Sequence, residues 1–170
     1  MPEILIGCLI PSIFSAFTDA IKRDLYDFIT VPIFLLGAMY AAYNHLWGNL
    51  IVALVVFTVF FIMAIKGGVS GGDAKFITAL AVWFGYPSIL YVVIVASITG
   101  TIYGVLKLYK MGLFQSRVVT FFRGIYMRIV YGIKGIMPET KLPENDEIAE
   151  DAIPYGTFLV IAAWTIYIIL

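Results

Sequence analysis

Residues 31–65, VPIFLLGAMYAAYNHLWGNLIVALVVFTVFFIMAI, run for 35 positions without an aspartate, glutamate, lysine or arginine. As one helix this stretch would be about 52 Å long at 1.5 Å per residue. A bilayer's hydrocarbon core is only about 30 Å thick. The polar break Asn44-His45-Leu46-Trp47-Gly48-Asn49 near its middle therefore reads as a turn between two crossings, with Trp47 suited to an interface. Residues 76–106 repeat the pattern, uncharged and too long for one comfortable span. Their turn is Gly85-Tyr86-Pro87-Ser88, because proline lacks a backbone donor and restricts the residue before it. Residues 4–18 and 152–170 each supply one further apolar segment.

Six spans result, at about 4–19, 29–45, 49–66, 73–86, 88–107 and 152–170, with a long connection over about 108–151. The expected fold class is all-α, a single polytopic membrane domain over 1–170. Composition agrees. Of the 170 residues 62% are hydrophobic and 13% charged, whereas a soluble domain is about a quarter charged. Cys8 is the single cysteine, which leaves no disulfide framework or thiolate metal site within one chain. Met1 to Glu3 lack a basic start, and no small-residue cleavage site follows, so the first apolar segment is expected to stay as a helix.

Positive charge tests the span count. All eleven lysines and arginines lie in three places: Lys22 and Arg23, Lys66 and Lys75, and Lys107 through Lys141. The turns at 44–49 and 85–88 contain none. Six spans put every basic stretch on one side, and the positive-inside rule makes that side cytoplasmic. Within the long connection, Lys110, Arg117, Arg123, Arg128 and Lys134 share one helical face, opposite Val118, Phe121, Phe122, Ile125, Ile129 and Ile133. This predicts a basic amphipathic helix on anionic headgroups. The acidic, proline-containing stretch 138–151 reads as a solvated loop.

Most of the eleven acidic residues fall in that loop or in the polar stretch holding Asp24 and Asp27. Asp19 and Asp73 differ, since each marks a junction between a polar connection and an apolar helix. Span parity returns both to the cytoplasmic side. Ionisable residues at membrane edges are costly unless paired or wetted. Two carboxylates in one partly dry site resist ionising together and share a proton near neutral pH. The ionised one can take a proton from water while the other polarises a carbonyl. Simpler roles stay open: Asp19 could serve a helix end or pair with Lys22 or Arg23, and Asp73 could be an N-cap. The fourth segment is short, which would sink Asp73 below the surface. Gly67, Gly68, Gly71 and Gly72 permit positive φ and close backbone approach. Lys75 could tune Asp73 or extend to the headgroups. Gly100 and Gly104 read as helix packing, and His45 has no ligand partners.

Ser70-Gly71-Gly72-Asp73-Ala74-Lys75 resembles the glycine-x-glycine-aspartate motif of membrane aspartic peptidases, in particular the type IV prepilin and archaeal preflagellin peptidases. Asp19-Ala20-Ile21-Lys22-Arg23 is similar to the segment of their first catalytic aspartate, and Ile153-Pro154-Tyr155-Gly156-Thr157-Phe158-Leu159 to the opening of their last helix. Two positions depart: Ser70 stands where the motif's first glycine belongs, and Tyr26 stands near a frequent proline. The resemblance implies Asp19 and Asp73 as catalytic residues, Gly71, Gly72 and Lys75 as motif support, and no cofactor or metal. It implies leader removal from pilin-like or archaellin precursors at the cytoplasmic membrane face. The four-cysteine element and methylating half of many bacterial relatives have no counterpart here. A proton- or cation-coupled carrier using the same aspartates is the alternative, and a non-catalytic scaffold a third possibility. The expected partners are those precursors and the lipid bilayer. Nucleic acid is not expected, because the basic face is backed by a strongly apolar one.

Overall fold

The computed structural model describes residues 2–22, 25–66, 69–112 and 153–169, together with isolated positions between 114 and 126. Gly67, Gly68, the acidic loop and most of the expected basic amphipathic helix lie outside the described residues. Six helices are present among those described, and no strand: α1 (Pro2–Lys22), α2 (Asp27–Tyr43), α3 (Trp47–Ile65), α4 (Gly71–Phe84), α5 (Ser88–Lys110) and α6 (Tyr155–Ile169). Within α1 the winding widens to a π-helical turn over Leu5–Leu9.

Both expected turns separate helices. The first is shorter than expected, since Trp47, Gly48 and Asn49 already belong to α3. At the second, Gly85 ends α4 with φ +61° and ψ −171°, a conformation open essentially to glycine alone. The Asn49 side-chain amide donates to the Val82 carbonyl at 3.0 Å, satisfying one of the carbonyls left free at the end of α4.

Three helices, α1, α3 and α5, are long and apolar enough to cross a membrane. The others are shorter. At 1.5 Å per residue, α2, α4 and α6 reach only about 26, 21 and 22 Å. The shortness of α4 has a clear setting, because it is the most enclosed helix. Ala74 and the whole run from Phe76 to Trp83 are buried, packed among α2, α3 and α6. A helix apolar all round belongs in an interior. By contrast α3 buries only Ala53 and exposes Ile51, Leu54, Val55, Val59, Phe61 and Ile62, the surface of a helix facing lipid.

Trp83 fixes how α4 sits. Its indole lies against Gly7 of α1 and Gly37 of α2, where a Cβ on Gly37 would stand 2.6 Å from Nε1 and one on Gly7 would overlap the ring. The indole N–H donates to the Ile33 carbonyl at 2.9 Å, and Tyr40 stacks on the ring at 5.4 Å between centroids. Glycines that admit a neighbour this closely are a common membrane packing device. The contacts also set directions. Asp27 of α2 meets Lys75 near the start of α4, and Gly37 meets Trp83 at its end, so α2 and α4 run parallel. Asn49 with Val82, Gly7 with Trp83 and Asp19 with Thr157 make α3–α4, α1–α4 and α1–α6 antiparallel.

The chain forms two compact units, residues 1–100 with 154–170, and residues 101–153. The first contains the bundle just described. The second contains the end of α5, the turn at Met111 and Gly112, and Gly104 in contact with Ile153.

Gly37→Ala should lower unfolding stability in detergent by about 1–3 kcal/mol, the usual cost of overpacking. The same change in a Trp83→Leu background should cost almost nothing, because the indole that fills the slot is gone.

Candidate active site

The first turn of a helix exposes backbone N–H groups that have no partner within the helix. α6 starts directly after Pro154, which has no N–H and no side-chain acceptor, so its first turn needs an acceptor from elsewhere. Asp19 supplies it. From the last turn of α1, Asp19 Oδ2 accepts the Thr157 backbone N–H at 2.8 Å and lies 3.1 Å from the Thr157 hydroxyl. The same hydroxyl is 3.1 Å from the Ala16 carbonyl. Asp19 is only 5% exposed, and a buried carboxylate is tolerable only with such partners. The helix end it serves is the start of α6, where the macrodipole favours an anion. Ser15, one turn earlier on α1, is buried, and its hydroxyl has no hydrogen-bond partner among the described residues.

Asp73 reaches the same end of the bundle from α4. Ser70 is the N-cap, with φ −67° and ψ 144°, and its hydroxyl accepts the Gly72 N–H at 3.3 Å. Asp73 is therefore the third residue of the helix, and the simpler N-cap role belongs to Ser70. That geometry explains why serine can replace glycine here: φ is negative, and an N-cap favours a hydroxyl. Asp73 is partly buried, and Tyr155 opens α6. The Tyr155 hydroxyl is 3.1 Å from the Ser97 hydroxyl of α5.

Leu25 lies between the starts of α4 and α6. It belongs to the connection after α1 and is buried. A Cβ on Gly72 would stand 3.3 Å from Leu25 Cβ, while a Cβ on Gly156 would stand 2.9 Å from Leu25 Cδ2 and 3.1 Å from Asp19 Oδ2. Each glycine adjoins a residue of the site: Gly72 precedes Asp73, and Gly156 precedes Thr157. Gly71 is different, with nothing within 4 Å of the position a Cβ would take.

A family model of the type IV leader peptidase family matches residues 5–105, more than half of the 170 residues. The chain belongs to this family. No curated protein and no solved structure matches it. The matched region holds both Asp19 and Asp73 and stops before α6. Membership makes this a membrane protein of the leader-peptidase type of protease.

Other residues of this peptidase fall where sequence reading did not anticipate. Lys75 neither faces Asp73 as a partner nor stands alone: its ammonium is 2.8 Å from both Asp27 carboxylate oxygens, joining the first turns of α4 and α2. Half exposed on both sides, this pair adds little stability. Tyr26, near the family's frequent proline, has φ −67°, the value a proline ring imposes. Thr157 and Leu25 were missed. Thr157 sits inside the quoted opening of the last helix, which was the available signal. Leu25 carries no sequence signal, because one leucine among apolar neighbours is unremarked until its contacts are known. An apolar cleft of about 530 Å³ between α2, α3 and α4, with Lys75 and Thr78 in its lining, contains neither aspartate.

Leu25→Ala should cost about 2–4 kcal/mol in detergent unfolding, as for other buried leucines. Combined with Gly156→Ala, which presses on the leucine methyls, it should show a coupling of about 0.5–2 kcal/mol. Strict additivity in the double variant would mean that the two residues do not meet.

Proposed function

We propose that this protein is a membrane aspartic endopeptidase that removes the short basic leader from type IV pilin-like or archaellin precursors, with Asp19 and Asp73 as the catalytic pair. One observation carries the reading. The starts of α4 and α6 close on the same leucine, Leu25, through Gly72 beside Asp73 and Gly156 beside Thr157, and Asp19 is buried there and doubly hydrogen-bonded to Thr157. Membership of a leader-peptidase family supports it.

In this reading all six helices cross the bilayer, and the end holding the aspartates faces the cytoplasm. The alternating helix directions and the one-sided lysines and arginines agree with that orientation. The short α4 starts below the headgroups, inside the bundle, where protein rather than lipid surrounds Asp73. A substrate whose apolar helix stays in the bilayer would present its leader junction at this depth.

Hydrolysis needs only the two carboxyl groups and water. Asp19, fixed by Thr157, takes a proton from water as the oxygen attacks the scissile carbonyl carbon. Asp73, protonated, gives its hydrogen to the carbonyl oxygen. When the tetrahedral intermediate collapses, the proton held by Asp19 passes to the amide nitrogen and the carbon–nitrogen bond breaks. The carbonyl re-forms and returns its proton to Asp73. Both aspartates end as they began.

Membranes carrying the wild type, Asp19→Asn or Asp73→Asn, incubated with tagged pilin-like and archaellin precursors, test this. Wild type should cleave, and each substitution should reduce the rate by about 10²- to 10⁴-fold, the usual contribution of a general acid or base. Cleavage that survives both substitutions would end the diaspartyl reading. A wild type that cleaves no precursor would favour a carrier or scaffold.

A further inference from the structure

We propose that Thr157 is the positioning residue of Asp19, and that its hydroxyl turns between the Asp19 carboxylate and the Ala16 carbonyl as Asp19 gains and loses a proton. This rests on the diaspartyl reading above. A threonine hydroxyl has one hydrogen and two lone pairs. The two oxygens it could serve, Asp19 Oδ2 and the Ala16 carbonyl, are equally distant at 3.1 Å, so a single hydrogen satisfies one at a time. The Thr157 backbone N–H stays on Oδ2 at 2.8 Å in either case.

The two settings match the two forms that a general base must adopt. With Asp19 ionised, the hydroxyl and the backbone N–H both donate to Oδ2. Once a water proton rests on the carboxylate, Oδ2 carries less negative charge and accepts less strongly, and the hydroxyl hydrogen turns to the Ala16 carbonyl. Nothing heavier than hydrogen moves, and the hydroxyl hydrogen never leaves Thr157. The proton gained by Asp19 came from water and departs to the amide nitrogen. Among the described residues Asp73 has no corresponding donor. Thr157 thus gives the pair its asymmetry: one carboxylate is held by α6, and the other stands behind the glycines 71 and 72.

The test is steady-state cleavage by purified Thr157→Val and Thr157→Ser, using a precursor that the wild type cleaves. Valine keeps the shape and the backbone N–H but removes the hydroxyl. It should lower kcat by about tenfold to a hundredfold, the worth of one hydrogen bond to a charged group, with KM within about twofold. Serine should restore kcat to within about threefold of wild type. A thermal unfolding scan accompanies each variant, and if the valine protein does not fold, Thr157→Ala is read by the same criteria. Wild-type kcat in a folded variant without the hydroxyl overturns the proposal, as does an effect on KM alone or a folded serine variant that restores nothing. Should Asp19→Asn still cleave, the diaspartyl reading falls and this proposal falls with it. Loss of cleavage in Asp19→Asn with an unaffected valine variant removes the hydroxyl's role and leaves the diaspartyl reading intact.

Discussion

The bundle depends on a carboxylate of one helix closing the open end of another. Asp19 and Thr157 are 138 positions apart in the chain, yet each solves the other's problem. Asp19 is buried and needs donors. The first turn of α6 has donors and, after Pro154, no local acceptor. Their meeting ties the last helix to the first and fixes the axial position of α6 against α1. It also holds a carboxyl group at one end of a mostly apolar bundle, which is a costly arrangement without such support.

Close glycine contacts operate at both ends of α4. At one end Gly7 and Gly37 leave a slot for the Trp83 indole; at the other, Gly72 and Gly156 close around Leu25. In lipid, apolar surface gains little by leaving one apolar medium for another, so helices associate through tight packing and hydrogen bonds. Trp83 and Leu25 provide the first, and the bonds from Trp83 to Ile33 and from Asn49 to Val82 provide the second. The consequence for the site is direct. A helix located at both ends cannot slide, so Asp73 is held at a defined height at the end of the bundle where Asp19 meets α6.

The two aspartates are held in different ways, and the difference suits a divided task. Asp19 is buried and anchored by a helix end. Asp73 is one turn into its helix, behind a serine cap and two glycines, of which Gly71 has open space around it. An acid and a base that work on the same bond need unlike surroundings. Here the unlike surroundings come from which helix end each carboxylate meets. The Lys75–Asp27 pair stands beside this arrangement rather than within it, linking the starts of α2 and α4 at the surface.

Much of this was legible in the residues alone. Uncharged runs bounded by polar breaks located the helices, because segments in lipid must bond their own backbone and bury no free charge. Charge sidedness put Asp19 and Asp73 at one end, and the short motifs around them matched the family to which the chain belongs. The helix lengths were less legible: α4 reads as another span by composition, although its 14 residues form the enclosed centre of the bundle. Apolar character does not distinguish a neighbour of lipid from a neighbour of protein. The partnership of Thr157 with Asp19, the wedge of Leu25 and the pairing of Lys75 with Asp27 arose only in three dimensions. Each joins residues tens of positions apart, through distances of a few ångströms that no local pattern encodes. Composition and charge determined that this protein is a helical bundle with its two candidate aspartates on one side; tertiary packing decided which helix end each of them serves, and what holds the first of them in place.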